Sequence, residues 1–489
     1  MQKARPDTAF YRNNMKKTKY QPQKYRPLLV REEAIADYKV HQDIVNNRLK
    51  SVKRDYGIFF TPERIVDFMV NLIDVAKYTD KNDITIIEPA CGLAQFLLGI
   101  KRNLPEIFNR AKLLGIEINQ EIINYLTTLN IGNNIEIIKD DYLLWQPQFL
   151  SDLIIGNPPY GIPSISEHYT IKIDPQLKEK YKGQYVTWYG KYNVYGAFIE
   201  KSIRLLKPDG QLIFIVPATF MILDDFRKLR TFLSQNGGSA IIYLGTDVFK
   251  PEADVSSVVL NFIKSDKFCH RMELLEYYDN KIKPVKINTK WKGEIVTFET
   301  DYTHIIESTC SYRLGDIYEI RISPRTPEIK NNPCITKEHP PRENGYLPLL
   351  NGRNLKCNEV IYKNFTGYWI KKVDVKKLRG YFNTQHIVVG LGFRKNGKVA
   401  AAIDQRGYPW MGDVYHLLRK ANVFNTQFDM SDTEVVEYLN SDYVRKYVKD
   451  VYREITYHLS ITQLINLPLP NKKEWGKIKE IYEKSTRGS

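Results

Sequence analysis

Cysteine is scarce in this sequence and never paired. Cys91, Cys269, Cys310, Cys334 and Cys357 are scattered, odd in number and free of any C-x-x-C spacing. That argues against a disulfide framework or a zinc site and for a reducing compartment. No metal is expected. The N-terminus has no apolar stretch of signal-peptide type, and the longest apolar run, around Leu212 to Leu223, is broken by Pro217 and too short to cross a bilayer. A cytoplasmic protein with no membrane partner is expected. Internal repeats and low-complexity tracts are lacking. Acidic residues are also in deficit, with 56 Asp and Glu against 72 Lys and Arg for a net charge of +16. A surplus of that size favours a polyanionic partner, most simply nucleic acid.

What is present is an ordinary globular composition, 43% hydrophobic and 26% charged over 489 residues, enough for two to three domains. One stretch stands out: Asp152-Leu153-Ile154-Ile155-Gly156-Asn157-Pro158-Pro159-Tyr160. Its apolar half reads as a short buried strand running into a stiff loop. Pro158 and Pro159 each fix φ near −65° and remove an amide donor, so the backbone carbonyls are held in place. Asn157 adds a side-chain carbonyl and Tyr160 a flat ring. Two fixed acceptors beside a stacking face suit a planar group bearing an NH2, such as adenine, cytosine or a carboxamide. A Pro-Pro turn closed by an Asn, with a Tyr packed inward, is the plainer alternative.

Along the chain, residues 1 to about 30 read as a flexible basic arm, and a helix-like segment follows from Glu32 to about Lys53. Thr61 before Pro62 reads as an N-cap opening a helix through Ile73. From about 84, short apolar runs alternate with amphipathic segments, the pattern of a doubly wound α/β domain. Strands are predicted at Ile84 to Ile87, Leu113 to Ile116, Ile135 to Ile138, Leu153 to Ile155 and Leu212 to Val216. Helices are predicted at Phe96 to Arg102, Gln120 to Leu129 and Val194 to Leu206. Ile241 to Leu244 and Val255 to Ile263 add a pair of strands, so a mixed sheet with an antiparallel edge is expected. Near 300 the alternation ends, and the rest reads as a separate domain of short strands, long loops and C-terminal helices. The boundaries are therefore 1–54, 55–300 and 301–489.

Glu88-Pro89-Ala90-Cys91-Gly92 follows the first strand and precedes a helix, so this turn is a candidate wall of the ligand crevice of an open α/β sheet. It matches neither a P-loop nor a dinucleotide fingerprint. Glu117 ends the second strand, where a carboxylate can take both hydroxyls of a ribose. Asp141 closes the third and can accept from an adenine amine. Acids ending three strands, with the Asn-Pro-Pro-Tyr loop ending the fourth, suit an adenosine-bearing cofactor without phosphates. S-adenosylmethionine fits that description.

With these residues in order, the chain resembles the γ-class DNA adenine-N6 methyltransferases of type II restriction-modification systems, in particular those of TaqI type. The resemblance covers about 55 to 470. It rests on Asn157 to Ile162, Gly190 to Lys201, Arg204 to Pro208, Val216 to Thr219, Asn351 to Lys356, Tyr408-Pro409-Trp410 and His416-Leu417-Leu418. It implies a Rossmann-like S-adenosylmethionine-dependent α/β domain and a C-terminal α+β DNA target-recognition domain. Thr61 would contact the methionine part of the cofactor, Glu88, Pro89, Ala90 and Cys91 would line it, Glu117 would hold the ribose, and Asp141 with Pro159 would bound the adenine. Asn157 and the Pro158 carbonyl would accept the two protons of the target amine. Tyr160 would stack on one face of the extruded base and Phe249 on the other, although the sequence alone reads Phe249 as a core residue.

The resemblance further implies double-stranded DNA as partner, a site of TCGA or a longer one such as ATCGAT, and a cognate restriction endonuclease acting on that site. A monomer is expected. Arg353, in the matching segment, is the first candidate to touch DNA, followed by Arg406 and Arg419, each with a solvated surface cation as the alternative. Departures from the pattern are Leu93-Ala94 after Gly92, the N-terminal extension, and Thr456-Tyr457-His458 in place of a proline-containing segment. The rivals are a fused restriction and modification enzyme, and a methyltransferase of RNA or protein glutamine.

Overall fold

Six successive buried residues, Ile84–Pro89 (β1), make the central strand, and a run apolar on both faces is what a parallel strand covered on each side by helices requires. Around it lie Ala111–Glu117 (β2), Ile135–Lys139 (β3), Ser151–Gly156 (β4), Leu206–Pro217 (β5), Gly238–Gly245 (β6), Ser257–Ile263 (β7), Arg271–Tyr278 (β8) and Lys281–Lys290 (β9). They form a nine-stranded mixed sheet in the order β9-β8-β6-β7-β5-β4-β1-β2-β3. β1 pairs in parallel with β2 and with β4, and β4 with β5, while β7 runs antiparallel between β5 and β6. The order therefore reverses at the β1–β4 pair, and a crevice opens beyond the carboxyl ends of those two strands. This is the fold of S-adenosylmethionine-dependent methyltransferases.

The computed structural model describes residues 60–487, apart from 130, 132–133, 165–170, 251–252, 338–344, 391–398, 413, 422–427, 454 and 457–458. The N-terminal arm and the Glu32 to Lys53 helix lie outside the described residues, as do two residues of the Thr456-Tyr457-His458 segment. Every described residue belongs to one unit, Arg54–Ser489. No helix among them is long and apolar enough to cross a membrane.

Helices Glu63–Val70 (α1), Gln95–Asn103 (α2), Gln120–Thr127 (α3), Pro175–Gln184 (α4), Tyr195–Leu205 (α5) and Arg227–Asn236 (α6) belong to this part of the chain. α5 is inside the protein, with ten of its eleven residues buried. Each fully buried Ile or Leu of these layers contributes roughly 1.5–3 kcal/mol.

The sheet is two strands wider than the sequence shows. β8 and β9 form an antiparallel hairpin beyond β6. β9, KIKPVKINTK, carries lysines and a proline, which suit an exposed edge strand and break the apolar alternation that marks a strand in sequence. α1 also differs from expectation. Pro62 is its N-cap and Thr61 stands one residue outside it, because the amides of Ile65 and Val66 bond to the Pro62 carbonyl at 2.8 and 3.1 Å.

Every strand of the large sheet falls between 84 and 290, and those after 312 form small separate sheets. Tyr318–Ile322, Val414–Arg419, His386–Gly390 and Ala401–Asp404 make an antiparallel four-stranded sheet in that order. Helices Asp432–Leu439 and Asp442–Tyr452 follow, each opened by a serine whose side chain accepts an amide in the first turn. The two regions join through the Phe298 amide on the Val451 carbonyl at 2.9 Å, Arg453 on Glu276 at 2.9 Å and Thr462 on Asp224 at 2.9 Å.

Candidate active site

The turn after β1 is shaped by backbone: Ala90, Gly92 and Ala94 all have φ between 51° and 54°, in the left-handed region. The Cys91 amide bonds to the Ile116 carbonyl at 3.0 Å and tethers this turn to β2. Gly115 permits that contact, since a Cβ there would sit 2.8 Å from the Cys91 sulfur and 2.7 Å from Ile137 Cδ1.

Both acids at these strand ends are buried. Glu117 Oε2 accepts the Gly92 amide at 3.0 Å and Oε1 the Asn119 amide at 2.8 Å, which fixes its carboxylate across the crevice. Burial pushes its carboxyl up, and the backbone donors pull against that. Glu88 accepts from the Phe96 and Leu97 amides at 3.3 and 3.0 Å, so it caps the first turn of α2. Burial pushes its carboxyl up to about 8, the two amides oppose this, and the charge of Glu117 adds to it.

Asp141 lies two residues past the end of β3 at Lys139, a small correction to its placement at the strand terminus. Its Oδ1 accepts the Leu143 amide at 3.0 Å and its Oδ2 the Tyr181 hydroxyl at 2.5 Å. Tyr181 comes from α4, a helix of mostly polar residues that sequence reasoning missed.

Asn157 follows the end of β4, across the order reversal from Glu88. Its Nδ2 donates to Thr61 Oγ1 at 3.0 Å, and Thr61 is itself fully buried and bonded twice to the Gln95 side chain, at 3.2 Å each way. With the amide nitrogen committed to Thr61, Oδ1 is the acceptor of this side chain. The loop beyond is fastened by the Gly161 amide on Asn193 Oδ1 and the Val194 amide on the Gly161 carbonyl, both 2.9 Å. Asn193 was overlooked, although it lies inside the Gly190 to Lys201 run.

Tyr160 is buried and its hydroxyl donates to the Ile215 carbonyl at 2.9 Å. The Phe249 ring, 4% exposed, meets it at 6.0 Å and 80°, so Phe249 is a core residue and a neighbour of Tyr160 at once. A planar base lying flat on one of these rings meets the other edge-on, and a parallel sandwich between them is not the arrangement present.

In the C-terminal region the three arginines part company. Arg353 is exposed, in the turn Gly352–Asn354. Arg406 is also exposed, and its guanidinium lies 4.3 Å from the centre of the Tyr362 ring. Its loop is held by buried Asp404, whose carboxylate accepts from Tyr362, Trp410 Nε1 and the amides of Arg406 and Tyr408, all at 2.8–3.0 Å. Arg419 is half-buried and held by its neighbours. It pairs with Asp432 at 2.7 Å, donates to the Met430 carbonyl and the Tyr318 hydroxyl, and lies between the rings of Tyr318 and Phe428. These contacts tie a strand to a helix and make Arg419 part of the scaffold.

Comparison with known proteins agrees with this architecture. Residues 82–249 match the Eco57I restriction-modification methylase family, and residues 347–469 the TaqI-like C-terminal specificity domain. Over 429 residues the chain is 39% identical to the type II methyltransferase M.TthHB8I of Thermus thermophilus, covering 86% of this chain and 92% of that protein. The chain belongs to the type II restriction-modification methyltransferases. This methyltransferase is also 29% identical over 182 residues to the modification methylase CviBIII of a Paramecium bursaria Chlorella virus, over 37% of this chain and 42% of that one. Among solved structures, the DrdV–DNA complex aligns with a TM-score of 0.55 at 14% identity, over 90% of the methyltransferase and 58% of that chain. The type ISP enzyme LlaBIII bound to DNA aligns with 0.54 at 13%, over 92% and 40%. At such identities the likeness is one of fold. The type II methyltransferase is thus a DNA methyltransferase with a specificity domain.

Proposed function

We propose that this chain methylates the exocyclic N6 of adenine at a specific site in double-stranded DNA, with the target base swung out of the duplex. The observation that carries this is the Asn157–Thr61 bond, which orients an amide carbonyl beside Pro158, Tyr160 and Phe249 at the switch point of the sheet. Glu117 at the end of β2 and Asp141 past the end of β3 are acids already oriented by backbone amides, an acceptor set that suits a cationic, hydroxyl-bearing nucleoside and repels phosphate. S-adenosylmethionine, when bound, supplies an electrophilic methyl group. Glu117 would hold its ribose, Asp141 and Pro159 would bound its adenine, and Thr61, Glu88, Pro89, Ala90 and Cys91 would line the remainder.

An adenine in a duplex cannot reach this crevice, and extruding it costs a few kcal/mol, offset by about 1–3 kcal/mol of stacking on Tyr160. The amine is a weak nucleophile because its lone pair is delocalised into the ring. Asn157 Oδ1 and the Pro158 carbonyl accept its two N–H groups and favour a pyramidal nitrogen. As that nitrogen bonds the methyl carbon and the carbon–sulfur bond of the donor breaks, the developing positive charge would meet these two oxygens, and one N–H proton then leaves to solvent. Arg353 and Arg406 would touch DNA, Arg406 as a preoriented fork for a base edge. The site would be TCGA or a longer one such as ATCGAT, and the enzyme a monomer. The match to a specificity domain favours DNA over RNA or a protein glutamine.

Asn157→Ala should lower methyl transfer about a hundred- to a thousandfold, in line with loss of one preorganised polar group at a developing charge, and leave cofactor affinity nearly intact. Retained turnover removes Asn157 from the mechanism.

A further inference from the structure

We propose that Tyr181 is a cofactor-positioning residue, whose hydroxyl holds the Asp141 carboxylate in the orientation that accepts the exocyclic amine of the cofactor's adenine. This rests on the reading of Asp141 given above and goes one residue beyond it.

Helix α4 is polar along most of its length, and two phenols fasten it to the Asp141 loop. Tyr181 lies in the last turn of the helix and Tyr185 is its C-cap, and both are buried. Tyr181 donates to Asp141 Oδ2 at 2.5 Å, and Tyr185 donates to the Leu143 carbonyl. The N-terminal end of the helix is set by Asp174, whose side chain accepts the Gln176 and Leu177 amides ahead of Pro175 in the first turn. The helix therefore arrives at the loop in a fixed register.

A carboxylate has two oxygens with about four acceptor sites, and that of Asp141 meets the Leu143 and Leu144 amides and the Tyr181 hydroxyl. Leu143 N–H pins Oδ1 at 3.0 Å and the Tyr181 hydroxyl pins Oδ2. The Tyr181 hydroxyl is the side-chain donor of this set and comes from a different element than the loop amides. With it gone, Oδ2 loses that donor and the carboxylate is held less firmly about its last bond. Burial and the Asp141 charge push the Tyr181 hydroxyl above its ordinary pKa, so it remains the donor. Burial raises the Asp141 carboxyl as well, and the Tyr181 bond opposes that, which keeps Asp141 the acceptor.

The test is calorimetric titration of the full-length chain with S-adenosylhomocysteine and with its analogue lacking the purine 6-amino group. Wild type should prefer the amino ligand. Tyr181→Phe should weaken it about three- to tenfold, the size of one ordinary hydrogen bond, and move the analogue by less than about twofold. Tyr185→Phe removes the neighbouring phenol from the same docking contact and should leave the preference between the two ligands unchanged. The proposal alone is overturned if the preference survives in Tyr181→Phe, if both ligands weaken equally, or if the amino ligand binds more tightly. Equal binding of both ligands by wild type overturns the Asp141 reading, and the proposal with it.

Discussion

Asn157 and Thr61, 96 positions apart in the chain, are joined by a 3.0 Å hydrogen bond from the Asn157 amide to the Thr61 hydroxyl. Thr61 sits just ahead of α1 and Asn157 just past β4, so the segment before the first helix sets the orientation of the central acceptor.

A Thr61→Val variant keeps the shape of the side chain and removes that hydroxyl. The Asn157 amide then loses the bond that turns its NH2 toward Thr61. The maximal rate should fall about five- to twentyfold, as loss of one buried hydrogen bond implies, with cofactor affinity changed by less than that. Single-turnover kinetics and cofactor titration measure the two effects separately. A loss confined to cofactor affinity would return Thr61 to the role of a cofactor contact.

Arg406 and Arg419 should respond differently to truncation. Arg406→Ala removes an exposed fork laid on Tyr362. It should reduce discrimination at one base pair by about 1–3 kcal/mol, seen as faster methylation of oligonucleotides altered at that pair. Arg419→Ala removes the cation from the Asp432 carboxylate, which keeps the Tyr318 hydroxyl as a donor at 2.7 Å. It should lower stability to urea by roughly 1–3 kcal/mol and leave base discrimination unchanged.

The C-terminal sheet contains a pH-sensitive pair. His386 Nδ1 lies 2.7 Å from the Thr384 carbonyl and donates to it, so its Nε2 accepts from His416 Nδ1 at 2.9 Å. His416 Nε2 then accepts from the Ser323 hydroxyl at 2.7 Å, and both rings are neutral. Burial lowers both from the ordinary value of 6.5, and for His416 the neighbouring His386 and Arg321 lower it further, whereas the Thr384 carbonyl and Asp404 oppose the shift of His386. Between the folded and unfolded values the unfolded chain binds more protons, so stability rises with pH there. The contribution is present above about 6.5 and is lost as pH falls below it. The unfolding midpoint should drop between pH 7.5 and 5.5, and His416→Asn should flatten that slope. Equal slopes in both proteins would contradict the assignment.

The inner part of the sheet was legible in sequence because β1, β2, β4 and β5 are apolar on both faces, leaving short unbroken runs of Ile, Leu and Val between polar turns. The outer part was not. The lysines and Pro284 of β9 suit an exposed edge and interrupt its apolar pattern, and within α4 the buried residue is Tyr181. At the site, Glu88, Glu117 and the Asn157 loop stand where strand ends put them. The Asn157–Thr61 bond is a tertiary contact with no local pattern. Arg419 shows the limit for charged residues: composition identifies a cation, and only the fold shows that Asp432 already holds it.

The most direct test of the central claim is the chemical identity of the methylated base. Double-stranded oligonucleotides containing TCGA, incubated with the full-length chain and S-adenosylmethionine labelled in its methyl group, should yield label in N6-methyldeoxyadenosine after digestion to nucleosides. Label on a cytosine amine or on a ring carbon, or no label in DNA at all, would contradict it.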